Sequence, residues 1–148
     1  MKELQEIYIN LDDSGKLTNK EHISVYGGLV FLSKKEKDKF ITQYRSIVND
    51  IKCKYCPLNK DNCNNKDCPE LKHSNLKNKD LRRLHNYIKK YVILACVINN
   101  KKIYSRIVTN KASKGRFLDY SLRRLIKGVI KKLIDDKLID PNKDLNII

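Results

Sequence analysis

The sequence predicts an α/β domain with a mixed β-sheet flanked by helices. Three observations carry this. Two short apolar stretches surround a turn within the first 32 residues, three later segments repeat their apolar residues at helical spacing, and a continuous β-rich run precedes the last of those helices. At 148 residues, with 41% hydrophobic and 33% charged side chains, the chain is long enough to bury a core as a single domain over 1–148. Its longest apolar run, Tyr91 to Ile98, falls far short of the roughly 20 residues of a membrane helix. Met1 to Gly15 lacks a basic start followed by an apolar stretch, so export is not expected and a cytoplasmic setting is.

Each element has its own signal. Glu6 to Leu11 alternates apolar and polar residues, with Ile7, Ile9 and Leu11 on one face, and Asp12-Asp13-Ser14-Gly15 follows as a turn. Ile23 to Leu32 is a second apolar and aromatic stretch holding Gly27-Gly28, the mark of a bulge or a close backbone approach, and pairs with the first as a hairpin. Ser33 with Glu36 has capping-box spacing, and Phe40, Ile41, Tyr44, Ile47, Val48 and Ile51 behind it predict a helix over 34–51. Leu81, Leu84, Ile88 and Tyr91 predict a second helix over 80–91.

Val92 to Ile98 reads as a central strand covered on both faces. Asn99 to Lys102 turns the chain, and Ile103 to Thr109 reads as an edge strand or a mobile loop. The last helix, near Arg116 to Lys137, carries an apolar stripe from Leu118 through Leu122, Leu125, Val129 and Leu133, and Pro141 ends it. Leu145 to Ile148 reads either as a short edge strand or as a strand just beginning in a longer chain.

Residues 52–69 are different material: Cys53, Cys56, Cys63 and Cys68 among Lys, Asn and Asp, with almost nothing apolar. A segment of this kind cannot bury a core and needs another source of order. The C-x2-C-x6-C-x4-C spacing suits four thiolates around one structural Zn2+, closed to chemistry because no coordination position stays open. Disulfides are the alternative in an oxidising compartment, and an iron–sulfur cluster gains some support from Cys56-Pro57 and Cys68-Pro69. Cys96, inside the apolar run, reads as a small buried side chain.

Charge is distributed unevenly. Lys and Arg number 32 against 17 Asp and Glu, net +15. Residues 1–32 carry three basic and five acidic side chains, net −2, leaving 29 basic and 12 acidic, net +17, for the remainder. An AT-rich codon bias raises Lys, but it raises Glu as well, and Glu has not kept pace. A basic excess confined to one part of the chain points to a polyanion, which in a cytosolic protein means nucleic acid, DNA or RNA; solubility alone is the competing explanation. Candidate contacts are Lys72, Arg82, Arg83, Arg116, Arg123, Arg124, Lys127 and Lys131, with Tyr87 and Tyr120 as stacking candidates if exposed. His22, His73 and His85 have no mutual metal spacing, although His73 stands close to Glu70.

Asp12 and Asp13 at a strand end, with Glu70 in the later Glu70-Leu71-Lys72 segment, are candidate divalent-ion ligands; two such ions stabilise in-line attack on a phosphodiester. The same residues also suit an ordinary turn and a solvated side chain. Asp12-Asp13-Ser14-Gly15 after an apolar strand, Gly27-Gly28-Leu29-Val30-Phe31, Glu70-Leu71-Lys72 and the Tyr120 to Ile134 helix together resemble the family catalogued as domain of unknown function 3800, whose first strand ends Asp-Glu-Ser-Gly. The resemblance implies an RNase H-like fold and a nuclease using Mg2+ or Mn2+, with Asp12, Asp13 and Glu70 as the catalytic acids. Three departures stand against it. Asp13 replaces a Glu, the cysteine insert is not general to that family, and the final-strand acid expected of an RNase H-like site is missing unless it lies beyond Ile148, leaving Asp119 as the nearest helical substitute. A non-catalytic, zinc-stabilised module binding nucleic acid or protein is the alternative function.

Overall fold

The computed structural model describes residues 4–18, 20–55, 71–72 and 76–148. They form strands β1 (Leu4–Ser14), β2 (Ile23–Phe31), β3 (Val92–Asn99) and β4 (Asp144–Ile147), and helices α1 (Lys34–Tyr55), α2 (Asn78–Ile88), α3 (Ser105–Thr109) and α4 (Lys111–Asp135). The chain divides into two compact units, one made of the residues up to Ser33 with Val92–Ile148, the other Lys34–Tyr91.

The first unit holds a four-stranded mixed sheet in the order β3-β2-β1-β4. β2 is antiparallel to both β1 and β3, whereas β4 runs parallel to β1. A parallel neighbour requires a crossover, and α4 supplies it. Side chains alternate along a strand, so Ile7, Ile9, Leu11 and Asp13 share one face of β1. That face is packed: Ile7, Val30, Leu94, Leu133 and Ile139 form the core, with Leu125, Val129, Ile130 and Ile134 of α4 against it. Full burial of each such side chain contributes about 1.5–3 kcal/mol. The opposite face buries Tyr8 and Phe31.

Several boundaries differ from the sequence reading. β1 runs to Ser14, so Asp12 and Asp13 are paired strand residues rather than turn residues, facing Gly27 and Tyr26 of β2. The turn begins at Gly15 (φ 80°), where a Cβ would meet the Ile23 carbonyl oxygen at 2.8 Å. Gly28 is required for a second reason: a Cβ there would collide with the Asn10 carbonyl. β3 is an edge strand, not a central one, and its Ile93 and Val97 are exposed. Residues 105–109 form the short helix α3 rather than a strand or loop. α4 starts earlier than its apolar stripe suggests because the Asn110 side chain caps it, accepting from the Ser113 N–H at 3.0 Å. The last strand, β4, starts one residue before the predicted Leu145; beyond it Ile148 donates to the Ile7 carbonyl at 2.9 Å, and Ile9 donates to the Ile148 carbonyl at 2.8 Å.

In the second unit α1 extends past the predicted end to Tyr55, and α2 closes at Ile88. An aromatic cluster joins them: Phe40 stacks on Tyr44 and Tyr87 at 5.3 and 5.4 Å between ring centres and meets Tyr91 edge-on at 4.9 Å. Each such contact contributes about 0.5–1.5 kcal/mol beyond its buried area.

Candidate functional site

The two acids of β1 occupy one strand end but opposite faces. Asp13 lies on the face packed by α4, in a row across the sheet with Tyr26 and then Cys96. Burial, and after it the Asp13 charge, pushes the Tyr26 hydroxyl above its ordinary range. Asp12 projects from the other face, and its Oδ1 accepts the Asp13 backbone N–H at 2.9 Å. Both are exposed. Consecutive strand residues alternate between the two faces of a sheet. A divalent ion at either acid needs ligands from elsewhere in the chain. Glu70 and His73 lie outside the described residues, and among the described residues no group of three His, Cys, Asp or Glu is placed to hold a metal. Asp119, the helical substitute named from sequence, is exposed on α4 and pairs with Arg123 at 3.0 Å.

The loop that follows the acids is tightly held. Lys16 donates its N–H to Glu21 Oε2 at 2.6 Å, and the buried Asn100 amide donates to the Lys16 carbonyl at 3.1 Å and to Ser24 Oγ at 3.0 Å. Lys114 of α4 reaches the Leu17 carbonyl at 3.2 Å. The acids therefore stand on a fixed platform, the condition a metal site needs of its first ligand.

Of the four cysteines, Cys53 lies half-buried in the last turn of α1, while Cys56, Cys63 and Cys68 fall outside the described residues. The ends of the chain that bracket the insert are clipped together within the second unit. Asp80 of α2 receives Lys54 Nζ at 2.9 Å and the Tyr55 hydroxyl at 2.9 Å, and that hydroxyl accepts the Lys77 N–H, also at 2.9 Å. The hydrogen bond from Lys54, then that from Tyr55, holds the Asp80 carboxyl below the usual carboxylate range. Sequence reasoning missed Asp80. Its signal was an acid in the first turn of a helix, a position too common to single out.

The basic candidates are exposed, as expected. Lys72 and Arg82 are exposed, Arg83 pairs with Asp50 at 2.8 Å, and Arg116, Arg123, Arg124, Lys127 and Lys131 line the solvent side of α4. Arg124 is placed over the Tyr120 ring, 5.8 Å from its centre. The stacking candidates separate sharply. Tyr120 is 59% exposed, whereas Tyr87 is 8% exposed and its hydroxyl bonds Gln43 at 3.0 Å and Tyr91 at 3.1 Å, so Tyr87 is a core residue that cannot receive a base. Cys96 is half-buried and lines a groove rather than the core.

No protein-family model, curated protein or solved structure matches the chain. The resemblance to the domain-of-unknown-function-3800 family accordingly rests on the short motifs quoted above. No helix among the described residues is long and apolar enough to cross a membrane.

Proposed function

We propose that this chain is a cytoplasmic, RNase H-like protein that binds nucleic acid and hydrolyses its phosphodiester bonds with Mg2+ or Mn2+, using Asp12, Asp13 and Glu70. The observation that carries the reading is the placement of β1. This acid-bearing strand is internal to a mixed sheet and pairs with β2 through both acids, while β4 runs parallel to its first half, Leu4 to Ile7. Carboxylates at a strand end, joined by an acid from elsewhere in the chain such as Glu70, can hold divalent ions, and such ions activate a water and stabilise the charge that develops on the phosphate. The chain's own contribution is a fixed carboxylate platform and a basic helix α4 to hold the phosphate backbone. Of the two acids, Asp13 shares the face of α4.

A second reading is favoured by one observation, the opposite facing of Asp12 and Asp13. On it the same surface binds nucleic acid without turnover, and the cysteine insert, ordered by Zn2+, is purely structural.

Cleavage of labelled DNA and RNA with Mg2+ or Mn2+ decides between them. The enzyme reading expects turnover that Ca2+ supports poorly and that Asp13→Asn removes while leaving most of the binding intact. Asp12→Asn, on the far face, should weaken turnover less. Full-length protein inactive on every substrate and both metals would leave the binding module standing.

A further inference from the structure

A groove of about 680 Å3 opens in the first unit between the edge strand β3 and helices α3 and α4. This lies in the size range of pockets that hold small ligands. Cys96 and Ile98 of β3, Ile107 of α3 and Phe117 of α4 give it an apolar lining. Two tyrosines stand at the groove in full view of solvent, Tyr104 at 74% and Tyr120 at 59% exposure. Large aromatic rings left this open are costly in water and suit a face that receives another flat ring. Each already has a guanidinium 5.8 Å from its ring centre, Arg106 on Tyr104 and Arg124 on Tyr120. Lys102 adds a third cation to the surroundings, and no Asp or Glu is among the lining residues.

We infer that this groove is a stacking site for unpaired nucleobases, so that the preferred ligand is single-stranded nucleic acid. The inference deepens the proposed function and rests on its nucleic-acid partner. Charge complementarity selects the occupant. Three cations without a lining carboxylate fit a phosphate backbone, and two exposed rings fit the bases carried beside it. A duplex cannot use the rings, because its base faces are already stacked on each other. The row from Cys96 through Tyr26 to Asp13 continues along the same sheet face. A strand seated in the groove is therefore on the face that carries Asp13 rather than the face that carries Asp12.

The chain has eight Tyr and no Trp, so base stacking is read directly as quenching of intrinsic tyrosine fluorescence. Titration with oligo-dT, oligo-rU and a duplex of equal length should give tighter binding and stronger quenching by the single strands. Tyr104→Ala with Tyr120→Ala should weaken single-strand binding roughly tenfold or more while leaving duplex binding and the salt slope unchanged, since phosphate contacts remain. Phe at both positions should restore the affinity, and both side chains are exposed enough for either variant to fold. Equal affinity for single strand and duplex, with no effect of the Ala pair, would overturn the stacking site while leaving nucleic-acid binding in place. Binding to neither would overturn the proposed function as well. Self-association abolished by the Ala pair, with oligonucleotide binding untouched, would give the groove to a second copy of the chain and overturn the inference.

Discussion

Asp80 shows how a single carboxylate organises its surroundings. It is nearly buried, accepts from Lys54 and Tyr55 at the end of α1, and stands in the first turn of α2 where a negative charge meets the helix dipole. Its folded pKa is depressed, so its stabilising effect is complete above the ordinary aspartate value of about 3.9 and is lost as pH falls through that value toward the folded one. Asp80→Asn should therefore lower the Tm at neutral pH and shrink the drop in Tm between pH 7 and pH 3. Melting curves recorded across that range check this, and wild type and variant losing equal Tm on acidification would contradict it. Residue chemistry was partly legible in sequence. Exposure of the Lys and Arg candidates followed from their positions off the apolar stripes, but the fate of Tyr87 did not, because a tyrosine serves equally in a core and on a surface. Asp12 and Asp13 were recognised as a pair, and only the extension of β1 through both of them shows that they face apart.

At the scale of elements, periodicity identified what could be identified locally. The apolar stripe of α4 is a property of neighbouring residues and packs against the core from Leu125 onward, whereas the alternation in β1 holds only in part, since Tyr8 is buried on the opposite face and Leu11 is 40% exposed. The position of β3 is not local. Val92 to Ile98 reads as buried on both faces, yet Ile93 and Val97, which alternate with Leu94 and Cys96 onto the opposite face, are 55% and 66% exposed. The insert is the other element whose order cannot come from apolar burial. Its neck is tied by Lys54, Tyr55, Lys77 and Asp80, and the spacing of Cys53, in the last turn of α1, with Cys56, Cys63 and Cys68 suits one closed metal site. Protein purified without added metal should carry about one equivalent of zinc, and Ser at Cys53 or Cys68 should release it while sparing the helical far-UV signal. Stoichiometric iron, or protein without metal, would contradict the zinc assignment.

For the whole molecule, the enzyme reading and a nucleic-acid-binding module require the same partner, whereas a protein-binding module does not. The net charge of +15 is concentrated after residue 32, and the solvent side of α4 presents Arg116, Arg123, Arg124, Lys127 and Lys131. Arg123 is offset by Asp119, a surface pair worth only about 0.3–0.5 kcal/mol, so a phosphate can displace the acid at little cost. The charge asymmetry was fully legible in the sequence. Which cations flank an aromatic groove was not, because Tyr104 and Tyr120 come together only when α3 and α4 pack on β3. The measurement that tests nucleic acid as the partner most directly is the salt dependence of oligonucleotide affinity for the wild type and for the combined Arg123→Glu, Arg124→Glu, Lys127→Glu variant. Each phosphate contact releases counterions, so wild-type log K should fall steeply and linearly with log salt, and the variant, still folded, should bind more weakly with a shallower slope. Affinity indifferent to salt, or identical in the variant, would contradict the account.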